Sequence, residues 1–199
     1  PENPVAQFLY ASTLTYVQND AEALPIFEAL VEQEPGLIAA WTSIYGIHSR
    51  AQEEDKALAA LKTAEEANPD NLNLKWLRAG YLEQAGRPDE AIEIYETAYA
   101  MNSNQPVIAN NLASLLSTTR DDAESLERAH TVARRLRDLD VPAFMDTYGW
   151  IAFRRGDLND AERHLVKAAQ RLPNDPSVQY HVGSLYVAQG LTDKAREAL

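Results

Sequence analysis

Apolar residues recur along this chain at three- and four-residue steps, in short runs that come in pairs. Phe144, Tyr148, Ile151 and Ala152 make one run; Ala161, Leu165, Ala168 and Ala169 make the next. That spacing places each set on one face of a helix. Gly156-Asp157 breaks the pattern between them, and Pro173-Asn174-Asp175-Pro176 ends the pair. The pattern predicts two antiparallel helices joined by a tight turn. Gly149 and Ala161 are small enough to let the two approach closely. Each hairpin leaves one flank apolar, so it needs a neighbouring hairpin to cover it.

The pair repeats. Ala23, Ala57 and Ala91 follow at steps of 34, as do Ala161 and Ala195, Pro35 and Pro69, Gly149 and Gly183, and Gly156 and Gly190. A fixed period of this length signals a stack of like units. The units run over residues 4–37, 38–71, 72–105, 106–141 and 142–175, with a truncated 176–199. Pro88 suits the first turn of a helix, where its missing N–H is harmless. Asp157, Asp160, Asp193 and Asp121-Asp122 fall near helix starts, and Arg137 and Arg171 near helix ends, as the helix dipole favours.

In phase, these positions resemble the tetratricopeptide repeat. Residues 176–199 show it as Val182-Gly183, Tyr186, Gly190, Ala195 and Leu199. Residues 38–71 show it as Trp41, Ile44, Ala57, Leu61, Ala64 and Pro69. Ala79, Gly86, Ala91, Tyr95 and Ala98 match in the third unit, and Ala11, Ala23, Phe27 and Pro35 in the first. The resemblance covers essentially the whole chain. It implies an all-α fold, a right-handed α-solenoid. Gln18 and Gln52 stand where the turn glycine belongs, and Ser103 replaces a closing proline. Leu74, Leu77, Tyr81 and Leu82 allow two registers one residue apart. The fourth unit is irregular: Ala91 to Ala161 spans two residues more than two regular steps. Ser117-Thr118-Thr119-Arg120-Asp121-Asp122 reads as a longer polar turn between its helices, able to alter local twist or to project.

The resemblance also implies a groove lined by the first helix of each unit, which takes a protein or peptide partner. By phase the groove positions are Thr42, Gly46, Trp76, Asn110, Asn111 and Ser114, then Asp146, Trp150, Phe153, Arg154, Tyr180 and Ser184. Aromatic rings offer rigid contact area, and Asn offers donor and acceptor together. On this reading Trp150 and Tyr180 pack partner side chains, the Asn residues hold its backbone and Arg154 pairs an acid; the alternative for Trp76 and Trp150 is packing between helices. A clamp for a terminal carboxylate is disfavoured by Thr42, Ser43 and Leu77. An asparagine ladder has one rung, Asn111. Asn110-Asn111-Leu112-Ala113 and Asp146-Thr147-Tyr148-Gly149-Trp150 also resemble units of long bacterial tetratricopeptide proteins, some serving exopolysaccharide export or surface-protein sorting. An envelope or periplasmic setting is therefore favoured over the cytoplasm.

Composition narrows the function further. The net charge is -12, which argues against nucleic acid. No apolar run is long enough for a membrane helix, so no direct membrane insertion is expected. There are no cysteines, which excludes disulfides and thiolate chemistry. His48, His130, His164 and His181 sit in different units and none makes an i, i+4 zinc pair. His181 reads as a hydrogen-bonded surface histidine. No phosphate loop or nucleophile motif is present, so neither catalysis, a metal nor a cofactor is expected.

Charge is uneven. Residues 1–49 have no Lys or Arg, only Glu2, Asp20, Glu22, Glu28, Glu32 and Glu34. Residues 128–171 hold nine of the 18 cations. Arg163, Lys167 and Arg171 are spaced i, i+4, i+8, and Arg135 matches Lys167 on the preceding second helix. Solvated helix faces explain much of this. A basic outer ridge docking an acidic partner or anionic polysaccharide is the alternative to the groove, and a plain spacer is a third. The chain opens at Pro1-Glu2-Asn3-Pro4 and stops inside a repeat, and so reads as a piece of a longer protein. The uncapped flank at Leu199 offers a surface for pairing with a second copy.

Overall fold

The structure, a computed structural model, describes residues 3–199. Glu2 of the acidic set lies outside the described residues. Among these, the chain forms twelve α-helices and one 3-10 turn, with no strand. The helices are α1 (Pro4–Tyr16), α2 (Asp20–Gln33), α3 (Ile38–Arg50), α4 (Glu54–Ala67), α5 (Leu72–Gln84) and α6 (Pro88–Met101). They continue as α7 (Pro106–Thr119), α8 (Ala123–Ala133), α9 (Pro142–Arg154), α10 (Leu158–Arg171), α11 (Pro176–Ala188) and α12 (Thr192–Ala198). Among the described residues no helix is long and apolar enough to cross a membrane. The chain divides into two compact units, the first running through Ile94 and the second covering Tyr95–Leu199.

Local chemistry starts the helices. The Asn3 side chain accepts from Val5 N at 2.9 Å, Asn71 from Leu74 N at 3.0 Å, Asp122 from Ser125 N at 2.8 Å and Asp157 from Asp160 N at 3.1 Å. Each satisfies a backbone N–H that the first turn leaves without a partner. Five of the six turns inside the hairpins use a left-handed residue. Gly86, Gly156 and Gly190 supply it at φ of 70°, 83° and 73°. Gln18 and Gln52 adopt the same conformation at φ 61° and 58°. The repeat geometry thus forces two L-residues into a backbone region that disfavours a Cβ.

The fourth repeat is built differently. Ser117, Thr118 and Thr119 are helical, so the expected long polar turn shrinks to Arg120–Asp122. One of the two extra residues is absorbed in α7, which has 14 residues against 13 in α9 and 13 in α11. The other falls after α8, where Arg134–Leu136 tighten into the 3-10 turn. Arg120 is extended, with φ -121° and ψ 136°, not left-handed. Side-chain hydrogen bonds from Arg154 hold this turn instead, as described below.

In the first unit, Ala11, Leu14, Ala23, Phe27, Leu30, Ala40, Ile44 and Ile47 form one buried cluster. Phe8 meets Phe27 edge-on with ring centroids 5.6 Å apart. The two registers of α5 are resolved: Leu74, Ala79 and Leu82 are buried, while Leu77 and Tyr81 are half-buried. Lys75 is buried as well, and its ammonium donates to Glu65 Oε1 on α4 at 2.7 Å. Arg78 donates to the other oxygen at 2.6 Å. Burial opposes ionisation of Glu65, but these two cations hold its carboxyl below the ordinary range.

In the second unit, α9 and α10 pack with almost no clearance. A Cβ on Gly149 would lie 2.8 Å from Leu165 Cγ and 3.0 Å from the Leu165 backbone nitrogen. The same addition at Gly183 would meet only the side chain of Leu199, at 2.7 Å at its nearest. Close to the first contact lies a buried polar group. Tyr148 donates its hydroxyl to Asp160 Oδ2 at 2.9 Å. Arg137 and Arg163 donate to Asp160 Oδ1 at 3.2 and 3.0 Å. Burial alone would raise the Asp160 carboxyl, yet these donors hold it below the ordinary range. Burial, then the neighbouring carboxylate, pushes the Tyr148 phenol up to about 12.

Gly149→Ala is expected to lower stability by about 1–3 kcal/mol in urea unfolding, because backbone must move. Gly183→Ala should be close to neutral, since a terminal leucine side chain can turn away. Gln52→Gly should raise stability by about 0.5–1 kcal/mol, and Gly156→Ala should lower it by a similar amount. Asp160 has a depressed pKa, so its contribution is complete above the unfolded value near 4 and is lost as pH falls through the lower folded value. The urea midpoint should therefore fall below about pH 4, less steeply in Asp160→Asn. Tyr148 favours its neutral form, so its contribution should be lost as pH rises from about 10 through the folded value.

Candidate functional site

In the second unit α9 packs beside both α7 and α11. These are the first helices of three successive repeats. Asn110, Asp146 and Tyr180 are each the fifth residue of their helix, and Ser114, Trp150 and Ser184 each the ninth. Four residues apart on a helix is one face. The phase argument therefore brings six of the expected groove residues onto one layer of helices.

An aromatic shelf occupies the middle of that layer. The Trp150 ring stacks on the His181 imidazole, with centroids 4.1 Å apart and planes 17° from parallel. Phe153 stacks on Trp150 at 5.3 Å, and Tyr180 tilts against it at 6.0 Å. Beneath them, His181 Nδ1 donates to the Asp146 carboxylate, at 2.9 and 3.0 Å to its two oxygens. His181 and Asp146 are both buried, whereas Tyr180 is 56% exposed. His181 is therefore not the surface histidine its isolated position suggested. It is a buried prop, fixed by Asp146, that sets the angle of the indole above it.

The asparagines hold each other. Asn110 Nδ2 donates to Asn111 Oδ1 at 3.3 Å, and Asn111 Nδ2 donates to the Tyr95 hydroxyl at 3.1 Å. Asn110 Oδ1 and Trp150 Nε1 find no partner in the protein. Both atoms are enclosed, so neither is open to a partner's backbone in this conformation. Ser114 gives its carbonyl to the Ser117 and Thr118 hydroxyls at 2.9 Å each. Ser184 Oγ donates to the Tyr180 carbonyl at 2.8 Å.

Arg154 is engaged within the chain rather than free for a partner's acid. Its Nη1 donates to the carbonyls of Ser117 at 2.5 Å and Arg120 at 2.9 Å. Its Nη2 donates to Asp121 at 3.0 Å. The guanidinium thus caps the carbonyl end of α7, where a cation also meets the negative end of the helix dipole. This positions α7 against α9 and so supports the shelf from behind.

The basic residues do not form one free ridge. Arg135 lies in the 3-10 turn rather than on a second helix, with its guanidinium 4.8 Å from the Tyr99 ring centre. Arg163 is tied to Asp160, and Arg171 donates to Asp140 at 2.5 Å. Lys167 opens onto a cleft of about 370 Å³ beside Arg137, Arg163 and His164, but Asp138 and Asp140 line the same cleft. In the first unit, Thr42 Oγ1 donates to the Ala39 carbonyl at 3.0 Å, Gly46 is half-buried and Trp76 is 42% exposed. Sequence phase puts Asp146, Trp150 and Tyr180 on one layer of helices, where the structure also has them. It misses His181, although an Asp and a His 35 residues apart are one position out of phase on adjacent first helices, where they can touch.

A family model described as tetratricopeptide repeat matches residues 47–106 and 148–199. The stretch it skips contains the irregular fourth repeat. The TPR repeat-containing protein PA4667 of Pseudomonas aeruginosa is 32% identical over 139 residues, covering 68% of this chain. This chain spans only 22% of that relative's length. A tetratricopeptide repeat protein from Parabacteroides merdae matches with a TM-score of 0.77 at 16% identity, over 98% of this chain and 77% of the other. YrrB, described as a TPR protein with an unusual peptide-binding site, matches with a TM-score of 0.67 at 16% identity, over 90% and 91% of the two chains. Repeat length, small-residue contacts, left-handed turns and the family match agree: the chain belongs to the tetratricopeptide repeat family.

Proposed function

We propose that this chain is a non-enzymatic scaffold that holds a segment of a partner protein on the face formed by α7, α9 and α11. Tetratricopeptide repeat proteins generally mediate protein–protein interactions, and a peptide-binding site is described for YrrB. The observation that carries the proposal is the aromatic shelf. Trp150 is fixed by stacking on a buried His181–Asp146 pair, with Tyr180 exposed at its edge. A ring held rigid before binding loses little entropy when a partner side chain packs on it. Arg154 acts indirectly, by holding α7 in place. The setting we favour is a bacterial envelope assembly such as polysaccharide export, on the likeness of the Asn110–Ala113 and Asp146–Trp150 segments to long bacterial tetratricopeptide proteins.

A photo-crosslinking residue at Ser184 of the full-length protein, irradiated in cells, should trap a partner. Trp150→Ala should reduce that adduct at least tenfold, with helix content unchanged by circular dichroism, as removal of a central aromatic anchor costs about 2 kcal/mol or more. Equal adducts from both proteins would reject this face, and no adduct at Ser184 would favour a spacer.

A further inference from the structure

The first unit carries a second groove, separate from the face just described. Helices α2 and α4 both pack on α3 and leave a cleft of about 650 Å³ between them. Its floor is mainly apolar: Val31, Ile44 and Ala60 are buried and Leu24 and Trp41 half-buried, with the buried His48, hydrogen-bonded to Glu53, also lining it. The Trp41 indole N–H donates to the Pro35 carbonyl at 2.8 Å, so the ring is held in place. The α2 wall carries Glu28 and Glu32, one helical turn apart and exposed. Neither is in an ion pair among the described residues, and neither are Glu22 and Glu34 nearby in sequence. The single cation on α4's wall, Lys56, is engaged by Glu53 at 2.8 Å. Acidity is not a property of this kind of groove. The corresponding cleft between α10 and α12, over α11, is lined by Gln170, Gln179, Lys194 and Glu197, a mixed set.

We propose that the α2–α4 groove docks a short amphipathic helix of a partner protein, with its apolar stripe on Trp41 and Ile44 and Lys or Arg along the flank facing Glu28 and Glu32. The cleft follows α2 from Leu24 to Glu32, roughly 12 Å or about two turns. A helix presents apolar side chains at the pitch of the helices that wall the groove. An extended strand would set its backbone N–H and C=O groups against helix walls that have no free backbone groups to pair with them. Unmatched carboxylates on one wall select the charge of the occupant and speed its approach at low salt.

The test is a selection of displayed random peptides, long enough for roughly four helical turns, against the full chain. The expected pool carries apolar residues at i, i+3 or i+4, and i+7, with at least two basic residues on one flank. Those peptides should bind the Glu28→Lys, Glu32→Lys double variant at least tenfold more weakly, and likewise Ala59→Trp, which fills the rim. They should bind Trp150→Ala as well as the parent chain, and lose affinity as salt rises. Three results would overturn the proposal: a pool without this pattern, equal affinity for the charge-reversed chain, or dependence on Trp150.

Discussion

Everything in this protein rests on how closely the two helices of a repeat approach each other. At Gly149 the clearance is too small for a methyl group, since the Leu165 backbone nitrogen lies only 3.0 Å from where a Cβ would go. Elsewhere alanine does the same work: Ala11, Ala23, Ala113, Ala129 and Ala161 are all fully buried. Close approach turns two short helices into one rigid hairpin. Isolated helices of this length are marginal in water, so the hairpin's stability comes from that contact and from the next hairpin.

The turn between the helices follows from the same constraint. Five of the six turns inside hairpins reverse direction through a left-handed residue, and the chain adopts that conformation whether glycine or glutamine occupies the position. Where the spacing drifts, in the fourth repeat, that solution is lost. Arg154 then ties the end of α7 through the Ser117 and Arg120 carbonyls and Asp121. A residue that sequence phase assigns to partner recognition is thereby used to repair an irregular repeat. This repair and the aromatic shelf share α9.

Matched and unmatched carboxylates play different parts, and the first unit's Glu65 is matched by Lys75 and Arg78. In the second unit buried carboxylates are matched: Asp160 by Tyr148 and two arginines, Asp146 by His181. They orient rings and helices and leave little free charge. In the first unit the carboxylates of α2 beyond Asp20 stand in water unmatched, beside an apolar cleft. Long surfaces of stacked helices can thus present chemically distinct faces without any change in backbone architecture.

The sequence by itself determined the repeat, the helices and the turns, because each depends on residues within one period: apolar spacing, small contacts, Asn and Asp caps, and Gly at the turn. It also identified Asp146, Trp150 and Tyr180 as neighbours, since phase alone puts them on one layer. What it left open depends on contacts between repeats. Arg154, Arg163 and Arg171 look alike as free cations in sequence, yet each finds an acidic or carbonyl partner, Arg154 and Arg171 outside their own helix. Arg135 leaves the second-helix pattern because one extra residue tightens the chain into a 3-10 turn. His181 looks like a surface residue until α9 is laid beside it. Only then do Asp146 and Trp150 close over the imidazole, because burial and pairing are properties of the packed layer and not of any one helix.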